Sequence, residues 1–168
     1  MYKLLICLVL SFMLIGCSNS NNVILNTNQD INEKAKKNNE LKEEFSYVVY
    51  SCDEECLNFI KYEKTTSSKD DIPCEILKEI HNNKLLAKEV NINSFEIVDN
   101  MVKLDLSENL LELIYKQGTT GEYYLVGSIV NSFIDTYNVE FVEILINGET
   151  FESGHVLYDS PLTKYGID

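Results

Sequence analysis

The stretch from Thr119 to Gly148 reads TTGEYYLVGSIVNSFIDTYNVEFVEILING and contains a helical pattern followed directly by a strand pattern. Thr119 and Glu122 have the spacing of a capping box, which is typical of a helix start. The apolar residues that follow recur at helical spacing and form one broad stripe: Val126, Ile129, Val130, Phe133 and Tyr137. The polar positions that lie elsewhere are Glu122, Asn131 and Asp135. This pattern predicts an amphipathic helix that ends near Asn138.

Strand patterns lie on both sides of this helix. After it, Val142, Ile144 and Ile146 predict a strand that ends in the turn signal Asn147-Gly148. Before it, a hairpin is indicated by apolar residues that alternate with polar ones: Phe95, Ile97, Val102, Leu104 and Leu106. Asp99-Asn100 separates the two arms and suits a two-residue turn, because both residue types tolerate positive φ.

The remaining elements complete a small domain. We expect a strand over Phe45–Tyr50, a second strand or hairpin arm over Leu57–Tyr62, and an amphipathic helix over Ile72–Asn82. A short helical turn follows Ser107. The coarse order β-α-β-β-α-β predicts an α+β fold for residues 45–168, with an antiparallel or mixed sheet and helices on one face.

The amino terminus has the features of an export signal. Lys3 supplies one positive charge, and the apolar run Leu4–Ile15 is shorter than the about 20 residues that span a bilayer. The run ends in Leu14-Ile15-Gly16-Cys17, which resembles the lipobox of bacterial lipoproteins. We therefore expect residues 1–16 to be a signal peptide and the Cys17 thiol to carry lipid. The alternative is an ordinary secretory signal with a chance cysteine.

Composition changes after Cys17, and it restricts the classes of partner. Residues 17–44 are rich in asparagine and contain few large apolar residues, which is typical of a flexible tether. The whole chain has a net charge of -13 and contains no arginine. Nucleic-acid binding requires clustered cations, so this class of protein is not expected. Anionic headgroups would also be repelled, so the lipid on Cys17 would have to supply the affinity for the membrane.

Three cysteines remain once Cys7 leaves with the signal and Cys17 carries lipid. Cys52 and Cys56 are separated by three acidic residues, and a small loop disulfide between them is possible outside the cytoplasm. That pairing would leave Cys74 free. The spacing fits neither a zinc knuckle nor a redox motif, so we expect no metal and no cofactor.

The two histidines are weak candidates for catalysis. His81 falls on the apolar stripe of the predicted Ile72–Asn82 helix, which favours a structural role. His155 lies near Ser153, Asp159 and Ser160, so a nucleophile–base pair can be drawn, but no elbow or oxyanion loop surrounds it. We therefore expect a protein that is not an enzyme.

The second half of the chain resembles the GerMN domain, named for a sporulation and spore-germination lipoprotein. The matching segments are Val102–Ser107, Gln117-Gly118, Leu125–Phe133 and Val139–Gly148, with a similar tail at Gly154-His155 and Ser160–Leu162. The resemblance covers roughly residues 45–162. It implies a lipoprotein on the outer face of the cytoplasmic membrane and a fold similar to the ring-building modules of secretion systems. The founding protein carries two tandem copies, whereas this chain has room for one.

The expected function follows from the anchor and the resemblance together. We expect an envelope lipoprotein that acts by protein–protein interaction in sporulation or germination, with envelope or sporulation-complex proteins as partners and self-association possible. The alternative is a lipoprotein that binds a small ligand or the cell wall, which would require a deep pocket with convergent polar groups. An envelope hydrolase built around His155 is a third class.

Overall fold

The computed structural model describes residues 43–166 of the chain. The predictions for the signal peptide, for Cys17 and for nearly all of the tether over 17–44 lie outside these residues. No helix within residues 43–166 is long and apolar enough to cross a membrane.

Seven strands and three helices make up the described residues. In chain order they are β1 (Phe45–Cys52), β2 (Phe59–Thr66), α1 (Ile72–Asn82), β3 (Ile92–Val98), β4 (Met101–Leu106), α2 (Asn109–Lys116), α3 (Thr119–Tyr137), β5 (Phe141–Ile146), β6 (Phe151–Glu152) and β7 (Leu157–Tyr158). The α+β class is confirmed. The predicted second strand is the far arm of a hairpin with β1.

The strands form three small sheets. The largest has the order β3-β4-β5, in which β3 and β4 are antiparallel and β4 and β5 are parallel, so the sheet is mixed as predicted. The β1–β2 hairpin is a separate antiparallel sheet, and β6 and β7 form an antiparallel pair. The turns behave as their residues require: Asp99 and Asn147 both have positive φ, and Asn138 ends α3 in the left-handed conformation.

Helix α3 is buried on nearly every side over its middle turns. Its large apolar residues join the inward residues of the β3-β4-β5 sheet in one core, where Leu125, Ile129 and Phe133 are fully buried along with Val102 and Leu104. Phe133 and Tyr137 also pack against the ring of Phe95 on β3. Burial of such side chains contributes about 1.5–3 kcal/mol each, so this face of α3 accounts for much of the stability.

A row of hydroxyl residues on another face of α3 binds the edge of β1. Ser132 Oγ accepts a hydrogen bond from Tyr50 N at 2.8 Å and donates to Ser128 O at 2.6 Å. One turn later, Thr136 Oγ1 accepts from Val48 N at 2.9 Å and donates to the Val48 carbonyl at 3.2 Å. These donors and acceptors belong to the edge of β1 that does not face β2. The helix therefore satisfies backbone groups that another strand would otherwise have to pair.

A second row on α3, one residue away at each turn, holds the carboxyl-terminal tail. Asn131 Oδ1 accepts from Tyr165 N at 2.8 Å, and Asn131 Nδ2 donates to Tyr165 O at 3.3 Å. The absent side chain of Gly127 leaves room for the rings of Phe59 and Tyr165. Close packing at Gly127 thus lets the tail and β2 reach the helix.

Asp135, at the end of this second row, joins three other parts of the chain to α3. Its carboxylate accepts hydrogen bonds from Tyr50 Oη at 2.6 Å, from Lys61 Nζ at 3.2 Å and from Lys164 Nζ at 2.5 Å. Burial alone would raise the pKa of Asp135, but the hydrogen bonds from Lys164, Tyr50 and Lys61 outweigh it and hold the pKa below its usual value.

The prediction about the start of α3 was wrong. Gly118 occupies the N-cap position and no side chain caps the helix, so Thr119 and Glu122 do not form a capping box. The Glu122 side chain is buried instead and accepts a hydrogen bond from Tyr158 Oη at 2.7 Å. Asn131 is also fully buried. Because α3 packs on more than one face, its polar positions have tertiary partners and do not face solvent.

Replacing Gly127 with alanine is expected to lower the free energy of unfolding by about 1–2 kcal/mol, although alanine is normally the better helix former by about 1 kcal/mol. A Cβ atom at Gly127 would lie 2.6 Å from Phe59 Cζ and 3.0 Å from the Tyr165 ring. Gly118→Ala is the control, since a Cβ there meets nothing within 4 Å and the φ of Gly118, -72°, is one that alanine adopts freely. Urea unfolding measures both. A Gly127→Ala protein as stable as Gly118→Ala would contradict this packing.

Asp135→Asn is expected to lower the free energy of unfolding by about 2 kcal/mol at neutral pH, because charge-assisted hydrogen bonds are lost. The folded pKa of Asp135 is depressed, so its contribution is complete above the ordinary value of 3.8 and disappears as the pH falls through the lower folded value. Unfolding measured between about pH 7 and pH 2 should therefore show wild type and variant converging in acid. The exposed Asp70→Asn serves as the control and should change the free energy of unfolding by less than about 0.5 kcal/mol.

Candidate functional site

The turn between β1 and β2 contains Cys52 and Cys56, for which the sequence allows a small loop disulfide. Cys52 and Cys56 have Cα atoms 5.0 Å apart, and the structure joins their sulfurs. Asp53 organises the turn: its carboxylate accepts from Leu57 N at 2.7 Å and from Asn58 Nδ2 at 2.9 Å. These two hydrogen bonds lower the pKa of Asp53. The arrangement supports the disulfide, which stays a prediction.

Cys74 is exposed and unpaired, and it lines a small cavity beside α1. The cavity has a volume of 220 Å³ and includes Leu77, His81 and Ile92 in its walls. His81 Nδ1 lies 2.6 Å from the Leu86 carbonyl, which can only accept, so that nitrogen carries the proton. Small-molecule sites usually begin at about 300 Å³, so the cavity is too small to favour the ligand-binding alternative. His81 instead ties α1 to the segment after it.

The groups around His155 are not assembled as a catalytic set. The Ser153 hydroxyl bonds within its own turn, to Val156 O at 3.3 Å, and Ser160 Oγ bonds Asp159 at 3.0 Å. Within the described residues, no hydrogen bond joins the His155 ring to any of these side chains. The same part of the chain contains no group of three or more histidine, cysteine or acidic side chains that could hold a metal ion.

The outer face of the β3-β4-β5 sheet, opposite α3, presents the side chains in three cross-strand rows. The register aligns Val98, Met101 and Phe141 in one row, Glu96, Lys103 and Glu143 in the next, and Ser94, Asp105 and Leu145 in the third. The first row is apolar and partly exposed: Val98 keeps 41% and Phe141 36% of their accessible surface. No described helix covers this row. An exposed group of large apolar side chains on one face is typical of an interaction site.

The apolar row borders a concavity of 350 Å³, walled by Val98, Met101, Phe141 and Pro161 and by the Asp99-Asn100 turn. We name these four apolar residues the sheet patch. Backbone hydrogen bonds hold its walls. The Asn100 carbonyl accepts from Glu140 N and Phe141 N at 3.0 and 3.3 Å, and two bonds between Val142 and Leu162 hold the tail beside β5. The concavity is therefore built into the fold before any partner arrives.

More acidic than basic residues lie beside the sheet patch. Lys103 is the one cation of the neighbouring row, and it forms an ion pair with Glu143 at 3.3 Å. Glu96 lies on the other side of Lys103 in the register and is exposed, and Glu140 precedes Phe141 in the chain. The carboxylates next to the patch thus outnumber the cations.

The sequence model of the family described as Germane, sporulation and spore germination, matches residues 48–152. The chain belongs to this family. The match extends from β1 to β6 and confirms the predicted resemblance to GerMN domains. The Germane family is a sporulation and germination family, not a family of enzymes.

The solved structures that are similar to this chain include the following two. One contains the tandem GerMN domains of the sporulation protein GerM from Bacillus subtilis, at 18% identity and a TM-score of 0.49, over 79% of this chain and 49% of that one. The other is described as a candidate lipoprotein from Clostridium perfringens, at 19% identity and a TM-score of 0.46, over 72% of this chain and 88% of that one. The chain therefore spans about half the length of the tandem structure. No curated protein matches it.

Sequence reasoning identified the strands of this Germane domain but missed the sheet patch. The signal was present: Val98 directly follows Ile97 and breaks the alternation of β3, and Phe141 stands at an outward position of β5. Neither break is informative until the register shows that both residues, with Met101 between them, form one row.

Alkylation without reduction tests the disulfide. We expect iodoacetamide to modify Cys74 in the unfolded, unreduced protein and to modify Cys52 and Cys56 only after reduction. Cys52→Ser should lower the free energy of unfolding by about 2 kcal/mol, as loss of a short cross-linked loop implies, whereas the exposed Cys74→Ser should not. Peptide mass mapping that finds Cys52 and Cys56 alkylated without reduction would rule the disulfide out.

Proposed function

We propose that this protein is a lipoprotein of the cell envelope, anchored through lipid on Cys17, that acts in sporulation or germination by binding other proteins. The observation that carries the proposal is the Germane match over residues 48–152 in a chain that begins with a signal-like run and Leu14-Ile15-Gly16-Cys17. The lipobox supplies the chemistry for the anchor, and two acyl chains bury enough methylene groups for stable attachment.

The described residues support binding over catalysis. Each serine near His155 is engaged with a neighbour, whereas the exposed apolar surface lies on a preformed sheet face. A surface of this kind has no reacting groups to position, but it can exclude water from a contact with another protein. The role that fits is that of a protein without enzymatic activity, held at the outer face of the cytoplasmic membrane where envelope or sporulation-complex proteins can reach it.

Lipid attachment is tested by labelling. Cells that express the wild-type chain are grown with radioactive palmitate and should yield a labelled protein in the membrane fraction. Cys17→Ser should abolish the label and release the protein from the membrane. Cys74→Ser is the matched control and should keep both the label and the membrane fraction. Labelled Cys17→Ser protein would show that the anchor is elsewhere.

The physiological role is tested in a spore-forming host that carries the gene. Deletion should reduce the yield of heat-resistant spores or slow germination, and the wild-type gene should restore both. Complementation with Cys17→Ser should fail, because the protein would no longer be held at the membrane. Normal sporulation and germination in the deletion strain would contradict the proposed role, whatever the labelling result.

A further inference from the structure

We infer that the sheet patch docks a basic segment of another protein, one that inserts a single large apolar side chain into the concavity and places lysine or arginine beside Glu96 and Glu140. The inference rests on the proposed function, because it names the kind of partner that such a protein would bind. It identifies the sheet patch as the binding site and a basic segment with one large apolar side chain as the partner.

Shape defines the central contact. The concavity of 350 Å³ is open and shallow, and its apolar lining comes from β3, β4, β5 and the tail, with Val98 and Phe141 partly exposed. Its walls are tied to one another by backbone hydrogen bonds from Asn100 and Leu162. An apolar depression whose lining is held by backbone hydrogen bonds accommodates one aromatic or branched side chain with little loss of entropy in the receptor.

The acidic residues beside the sheet patch favour a partner with basic residues next to that side chain. The positive group nearest to the patch in the register, Lys103, is already paired with Glu143, whereas Glu96 has no ion pair in the described residues. The chain as a whole has 27 acidic residues against 14 basic ones, all of them lysine. A partner that approaches this face therefore enters a negative potential, which accelerates the association of cationic segments and opposes that of anionic ones.

The same charge argument makes a second copy of this chain a poor occupant. A second copy would bring its own Glu96, Glu143 and Asp105 against those of the first, with one paired lysine on each side. Like charges that face each other across an interface weaken its binding free energy by several kcal/mol. A face of three short strands offers little apolar area to offset that cost. An anionic lipid surface is opposed for the same reason.

The test uses the protein as it is purified from cells, labelled with nitrogen-15 and held in dodecyl maltoside micelles, and three synthetic peptides: KKFKK, KKGKK and EEFEE. Chemical shifts of the backbone amides report where each peptide binds. KKFKK is expected to shift amides of Val98, Met101 and Phe141, and its binding should weaken as salt is added. KKGKK and EEFEE should bind about tenfold more weakly or not at all, because each lacks one of the two contacts.

Matched variants locate the site. Val98→Ser should weaken KKFKK binding about tenfold, whereas Val156→Ser, an equally exposed valine in the tail, should not. Glu96→Lys should weaken binding about threefold, whereas Glu63→Lys, an exposed acid on β2, should leave it unchanged. Glu96 is exposed, so its variant tests the charge contact even if Val98→Ser proves poorly folded.

Several results would overturn the inference: no binding of KKFKK, equal binding of EEFEE or KKGKK, amide shifts away from the sheet patch, or equal effects of each variant and its control. Palmitate labelling and spore counts do not depend on the patch. Failed peptide binding with intact labelling and a spore defect would therefore remove this inference alone. Specific peptide binding without labelling or a spore defect would instead remove the proposed function.

Discussion

The packing of α3 is the constraint on which the rest of this domain depends. One face carries large apolar side chains, such as Ile129 and Phe133, and packs with the mixed sheet. Another carries Ser132 and Thr136, whose hydroxyls bond the backbone of β1 at 2.8 and 2.9 Å. A helix can approach a strand this closely only where its side chains are short, and the hydroxyls then replace the partner strand that β1 lacks on that edge.

This arrangement explains why the outer face of the β3-β4-β5 sheet is open. The β1–β2 hairpin and α1 both pack on the side of α3, so the hairpin does not extend the larger sheet. The tail passes along the second row of α3 through Asn131 and reaches β5 only at Leu162. All the covering elements in the described residues are thus used on one side. What remains on the other is a row of apolar residues between a turn and a proline, beside unpaired carboxylates.

The sequence predicted the elements well because their signals are local. Alternation in β3 and β4, the Asp99-Asn100 turn and the stop at Asn138 depend on backbone preferences that neighbouring residues express on their own. The environment of Glu122 could not be predicted, since its partner Tyr158 lies 36 positions later in the chain. Helical spacing places a residue on a face, but it cannot say whether that face meets water or another element. The capping box failed for this reason.

The sheet patch is a second feature that sequence spacing alone could not predict. Apolar residues at outward positions of strands look, one at a time, like ordinary surface residues, and most surfaces contain many of them. The parallel pairing of β4 with β5 is what places Phe141 in one row with Val98 and Met101, and this pairing connects segments 40 residues apart. The parallel register requires the α2–α3 crossover, so the surface exists because α3 is packed where it is. The helix that organises the core thereby also determines which side chains the domain presents outward.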